Sequence, residues 1–100
     1  MFSTPVAQSI TILATSRTMT KFKIEHRVRH IVSQVLQKLP ITLKKNVSLY
    51  GNGADSLDVF NILFLIEYEF SIKFDKKDTE EFGRKTINEI TDIVKGLTKK

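Results

Sequence analysis

No cysteine occurs among the 100 residues, so neither a disulfide framework nor a thiolate metal site can be built. No apolar run approaches the roughly 18 residues that a membrane span requires. The longest, Ile62 to Ile66, has the length of a core segment. There is no internal repeat, and no apolar–polar alternation long enough for a strand. Acidic residues are missing from one end: none precedes Glu25, whereas Arg17, Lys21 and Lys23 all lie before it. The same stretch holds eight hydroxyl residues, Ser3, Thr4, Ser9, Thr11, Thr15, Ser16, Thr18 and Thr20. An acid-free, Ser/Thr-rich, sparsely basic N-terminus has the composition of an organelle transit segment, with an ordinary tail as the alternative. A secretory signal fits less well, because the apolar residues are scattered and no charged region precedes them. Residues 1–22 are therefore expected to be a transit peptide or disordered tail. Residues 23–100 are expected to be one small domain.

From Lys23 onward the apolar residues become periodic. Ile24, Val28, Ile31, Val32, Val35, Leu36 and Leu39 share one face at 3.6 residues per turn, which predicts a first helix ending at Pro40. Residues 40–54 read as a long loop pinned by Ile41, Leu43, Val47, Leu49 and Tyr50. A second helix is expected from Asp55 to about Phe70. Asp55 and Asp58 form a box-like cap at the positive end of its dipole. Ser71–Asp78 reads as a connector that turns Ile72 and Phe74 inward, and Thr79–Phe82 as one short helical turn closed by Gly83. Thr86-Ile87-Asn88-Glu89 is a capping box. It opens a last helix carrying Ile87, Ile90, Ile93, Val94 and Leu97. The fold class is all-α: a small antiparallel bundle of three main helices plus one short one.

The second helix has two apolar faces. Val59, Ile62, Leu63, Ile66 and Phe70 form a core stripe at 100° per residue. Leu57, Phe60, Phe64 and Tyr68 form another, at i, i+3, i+7 and i+11, and Ser56 stands on the border between them. Either the short helix and the long loop cover the second stripe, or it is a docking surface. Ser56 likewise has two readings, part of the helix cap or an attachment point.

Other chemistries find no support. Gly51-Asn52-Gly53 lacks the Lys-Ser/Thr of a phosphate loop. His26 and His30 share a helix face without further obvious metal ligands, and they read as solvated. No histidine is placed to activate Ser56 as a nucleophile. The basic pairs Lys44-Lys45, Lys76-Lys77 and Arg84-Lys85 are scattered, unlike the gathered charge of a nucleic-acid binder.

Gly53-Ala54-Asp55-Ser56-Leu57-Asp58, at the head of the second helix, resembles the prosthetic-group site of acyl carrier proteins. The resemblance extends over about residues 23–97. It takes in Ile24–Leu39 as a first helix, Glu67-Tyr68-Glu69-Phe70-Ser71-Ile72 as an acidic helix end and turn, and Thr86–Ile90 as the start of the last helix. It implies a carrier and not an enzyme. A phosphopantetheinyl transferase would attach 4′-phosphopantetheine from coenzyme A to Ser56, and the thiol of that arm would hold acyl groups as thioesters. Asp55 would help hold the serine region and contact the transferase, with Leu57 beside the attachment point. Leu57, Asp58, Phe60, Asn61, Phe64, Glu67 and Tyr68 would face partners.

With the transit-like N-terminus, the resemblance points to the mitochondrial matrix, or alternatively a plastid-type organelle. There the carrier would serve fatty acid and lipoate precursor synthesis. It would also be a subunit of larger assemblies through small helical LYR-family proteins. No direct nucleic-acid contact and no membrane span are expected. Three features depart from the family pattern. The chain is net basic, +5, Phe60, Asn61 and Tyr68 stand where carboxylates are usual, and Leu49-Tyr50-Gly51-Asn52 replaces the acidic lead-in before the glycine. Together they favour a partner held by apolar contacts. An unmodified structural relative and a small basic nucleic-acid-binding domain are the competing classes. A carrier of amino acids is a variant of the main reading.

Overall fold

A computed structural model describes residues 20–98. The expected transit segment, apart from residues 20–22, lies outside them. Among the described residues four helices follow one another: α1 (Lys21–Leu36), α2 (Ser56–Phe70), α3 (Lys76–Glu80) and α4 (Ile87–Thr98). Single 3₁₀ turns at Pro40–Thr42 and Phe82–Arg84 punctuate the connections. Among the described residues there is no strand, only one antiparallel bridge between Ser48 and Thr86. The all-helical expectation holds.

The first helix starts earlier and stops earlier than its periodicity suggests. The Thr20 hydroxyl accepts the Lys23 N–H at 3.2 Å, so helix begins at Lys21, two residues before the expected domain boundary. Pro40 holds Leu39 extended, at φ −67° and ψ 138°. The chain therefore leaves the helix a turn before the proline. Gln37 adopts a left-handed conformation (φ 56°), and the Lys38 N–H reaches back to the Ser33 carbonyl at 3.0 Å. Leu39, expected on the core face, is exposed as a result.

The long loop is held differently from its apolar pattern. Leu43 and Leu49 are buried as expected and Val47 is half-buried, but Ile41 and Tyr50 face solvent. The missing anchor is polar. Asn52 is buried, and its amide nitrogen donates to the carbonyls of Lys44, Val47 and Ser48 at 3.0, 3.1 and 3.2 Å. Its side-chain oxygen accepts the Lys44 N–H at 2.8 Å. One side chain thus bonds to four backbone groups of the loop, and for the Lys44 and Ser48 carbonyls it adds to the Val47 and Asn52 backbone N–H bonds they already accept. The loop is also stitched to the segment before α4. Leu49 N–H donates to Lys85 O at 3.0 Å and Tyr50 N–H to Gly83 O at 3.1 Å.

The short helix α3 lies three residues upstream of the expected Thr79–Phe82 turn. Asp75 caps it, accepting the Asp78 N–H at 2.7 Å, and Phe82 falls instead in the 3₁₀ turn that follows. The Thr86/Glu89 capping box forms as expected, with bonds of 2.9 and 3.0 Å in the two directions.

The core joins Ile24, Val28 and Val32 of α1 to Ile62 and Ile66 of α2 and to Ile87, Ile90 and Val94 of α4. Phe74 and Phe82 close it from the α3 side, with ring centroids 5.1 Å apart. Lys38, just past the end of α1, bonds to the Asn52 carbonyl ahead of α2, while Arg27 pairs with Glu69 near the end of α2. The two helices therefore run antiparallel, and the loop's tail is fixed where α2 begins.

Candidate functional site: the head of the second helix

The start of α2 is set by carboxylates. Asp55 is the N-cap residue rather than the first helical one. Its Oδ1 accepts the Asp58 N–H at 2.8 Å, and Asp58 Oδ2 accepts the Asp55 N–H at 3.1 Å. This is a reciprocal capping box built with Asp at both ends. Ser56 follows at the first helical position. It is exposed, and no hydrogen bond to another described residue engages its hydroxyl. Of the two readings of Ser56, the cap is therefore taken by its neighbour.

The approach to the serine is constrained. Gly53 has φ 107°, a conformation that side chains resist, and a Cβ there would lie 2.9 Å from Lys38 Nζ. That amine donates to the Asn52 carbonyl at 2.6 Å. Ala54 is buried, with its N–H on the Leu49 carbonyl at 3.1 Å. Ser56 thus rides on a helix start fixed by Lys38 on one side and by Asn52 beneath.

A cavity of about 290 Å³ lies beside Ser56. Val59, Phe60 and Leu63 of α2 form one wall, and Tyr50, Thr79, Glu80 and Gly83 the other. Its volume is near the lower end of ligand pockets, about 300 Å³.

The second apolar stripe is uncovered. Leu57 is 68% exposed, Phe60 54%, Phe64 59% and Tyr68 86%, so neither α3 nor the long loop shields it. The Phe60 and Phe64 rings stack at 5.8 Å, and Asn61 is exposed next to them. Leu65, which the sequence pattern did not single out, is exposed as well. Glu67 departs from its expected place among the partner-facing residues. It is half-buried and accepts the Phe74 N–H at 2.9 Å, tying α2 to the connector. Charge is also segregated. Eight of the eleven acidic residues lie within residues 55–81, against Lys73, Lys76 and Lys77 alone. The segment from α2 through α3 is therefore acidic although the chain is basic. His26 and His30 are exposed on α1, and no metal-binding cluster of three or more ligands occurs among the described residues.

Fold and site together define a small helical module that displays the Ser56 hydroxyl and an apolar face of α2 to its surroundings. No family model matches the chain. It is 39% identical over 54 residues to "Acyl carrier protein 3" of Ralstonia nicotianae, covering 53% of this chain and 62% of that protein. It is 28% identical over 78 residues to "Acyl carrier protein" of Buchnera aphidicola, covering 77% of this chain and 96% of the relative. The chain spans less than two thirds of the first relative and nearly the whole of the second. The chain is thus similar to acyl carrier proteins, the family whose prosthetic-group motif Gly53–Asp58 resembles.

Proposed function

We propose that this protein carries acyl groups as thioesters on a 4′-phosphopantetheine arm attached to Ser56. One observation carries the reading. The hydroxyl of Ser56 is exposed and unengaged at a rigid helix start whose cap is supplied by Asp55. A hydroxyl that stabilised the helix would not be free to form a phosphodiester. The residues around it fit the group. The first-turn amides and the positive end of the α2 dipole suit a phosphate, and the adjacent cavity offers apolar contact to what the arm holds. When bound, the arm supplies the thiol on which acyl groups are held. Asp55 holds the serine's helix start in place for the transferase, with Leu57 next along the helix. Incubation with coenzyme A and a phosphopantetheinyl transferase should add the mass of one phosphopantetheine. A chain that stays unmodified under conditions that load another carrier would contradict the proposal.

The finer assignment is to fatty acid and lipoate precursor synthesis in the mitochondrial matrix, with a second role as a subunit of larger assemblies bound by LYR-family helical proteins. The acid-free composition of residues 1–22 supports the organelle. The open stripe of Leu57, Phe60, Phe64 and Tyr68, with Asp58 and Asn61 beside it, supports a helical partner held by apolar contact. Aromatic anchors at such faces contribute on the order of 2 kcal/mol each, so Phe60→Ser with Phe64→Ser should weaken partner binding by about a hundredfold or more. Both rings are more than half exposed, so the fold should survive the change. Affinity purification from cells checks this, and unchanged recovery of the same partners would show that the stripe is not the interface.

A further inference from the structure

We infer that the outward face of α1, with the turn at Pro40–Thr42 laid beside it, is a docking surface for an anionic lipid membrane, on which the protein rests without crossing it. Phe22, His26 and His30 recur at i, i+4 and i+8. At 100° per residue they lie opposite the buried row of Ile24, Val28, Ile31 and Val32. All three are exposed, Phe22 by 77%. The turn is fixed alongside this row. Arg29 of α1 donates to the Pro40 carbonyl at 3.2 Å and to the Leu43 carbonyl at 3.5 Å. Leu39 and Ile41, on either side of that proline, are 69% and 86% exposed. Large apolar side chains thus stand in solvent at the start of α1 and in the turn beside it, where the core makes no use of them.

The charge around these anchors selects the occupant. Residues 21–45 hold seven Lys and Arg and a single acid, Glu25. Glu25 is matched in place, by Arg29 at 2.8 Å and by Lys45 at 3.9 Å. Lys21 and Arg27 tie α1 to its neighbours, through Asp92 of α4 and Glu69 of α2. Lys23 and Lys44 are exposed, and Lys45 is half exposed, so their charge is available to a partner. The acids gather instead on the segment from α2 through α3. An anionic leaflet therefore attracts α1 and its turn and repels that segment, which orients the domain on the surface. Lysine stems can lie along the interface with their amines at the phosphates, while Phe22, Leu39 and Ile41 enter the acyl boundary. Nucleic acid offers the same phosphates but no apolar phase for Leu39 and Ile41, so the face fits lipid better.

The test uses the full chain with vesicles of phosphatidylcholine containing about 30% phosphatidylglycerol, beside vesicles of phosphatidylcholine alone. The protein should sediment with the first and not with the second, and partitioning should weaken about tenfold or more as salt rises from about 50 to about 300 mM. Each lysine near an anionic surface raises partitioning about fivefold, so Lys44→Ala with Lys45→Ala should lower it roughly twenty-five-fold. Phe22→Ser with Ile41→Ser changes no charge and should lower it about tenfold or more. The chain has no tryptophan, so Phe22→Trp reports this face alone, and its emission should move to shorter wavelength on the anionic vesicles only. Sedimentation with the tryptophan emission unmoved would put the contact elsewhere, for instance on residues 1–19, and overturn the inference. Equal sedimentation with neutral vesicles, or none with either, would overturn it too. So would tighter binding to a single-stranded RNA that Lys44→Ala with Lys45→Ala abolishes and Phe22→Ser with Ile41→Ser leaves intact, since the face would then hold phosphates without lipid.

Discussion

Ser56→Ala is expected to take up no phosphopantetheine while unfolding within about 0.5 kcal/mol of the parent. The two halves of this result come from the division of labour at the head of α2. Asp55 and Asp58 satisfy each other's backbone amides, so removing the serine oxygen leaves no orphaned donor. The exposed hydroxyl contributes nothing else that the fold uses. Asp55→Ala should behave in the opposite way, losing about 1 kcal/mol of stability while keeping the acceptor hydroxyl. Intact mass after transferase treatment, paired with urea denaturation of the two variants, reads both quantities. A Ser56→Ala protein as unstable as Asp55→Ala would return the serine to a structural role.

Asn52→Asp is expected to be among the most damaging single changes outside the apolar core, costing about 3 kcal/mol or more. The amide nitrogen of Asn52 donates to three carbonyl oxygens within 3.2 Å. A carboxylate has no donor to offer them, and its charge would be buried against their lone pairs. The loss should lower the melting temperature by roughly 15 °C for a domain of this size. Asn52→Ala removes the side-chain bonds to the Val47 carbonyl and the Lys44 N–H without adding a charge, while the Lys44 and Ser48 carbonyls keep their backbone donors, and should fall between the parent and Asn52→Asp. Thermal and urea unfolding check the series. An Asn52→Asp protein within 1 kcal/mol of the parent would mean that Leu43, Leu49 and the backbone bonds to Gly83 and Lys85 hold the loop without the Asn52 side chain.

Much of this architecture is legible in the sequence because local chemistry and the final fold agree. The two stripes of α2 follow from its spacing, and the structure buries Val59, Ile62, Leu63 and Ile66 while exposing Leu57, Phe60, Phe64 and Tyr68. The boxes at Asp55/Asp58 and Thr86/Glu89 are readable because each closes within four residues. Asp75 and Asp78 repeat the D-x-x-D spacing of Asp55 and Asp58, so the start of α3 carried a signal that the reading of residues 71–78 as a connector passed over.

What stays hidden depends on closure in three dimensions. Nothing local marks Asn52 as the centre of a loop, because its partners at Lys44, Val47 and Ser48 come together only once the loop has folded back. Ile41 looks like an anchor by hydropathy, yet the 3₁₀ turn at Pro40–Thr42 carries it out to solvent. Glu67 looks like a surface carboxylate and is instead bonded to the Phe74 amide. The net charge misleads as well, since a chain of +5 gathers its acids around α2 and α3.

The most direct measurement is the intact mass of the protein purified from its own cells, beside a Ser56→Ala control. The account predicts a polypeptide carrying one phosphopantetheine with an acyl group upon it, both missing in the control. An unmodified mass, identical in kind to that of the control, would contradict the account and leave a helical subunit whose serine carries nothing.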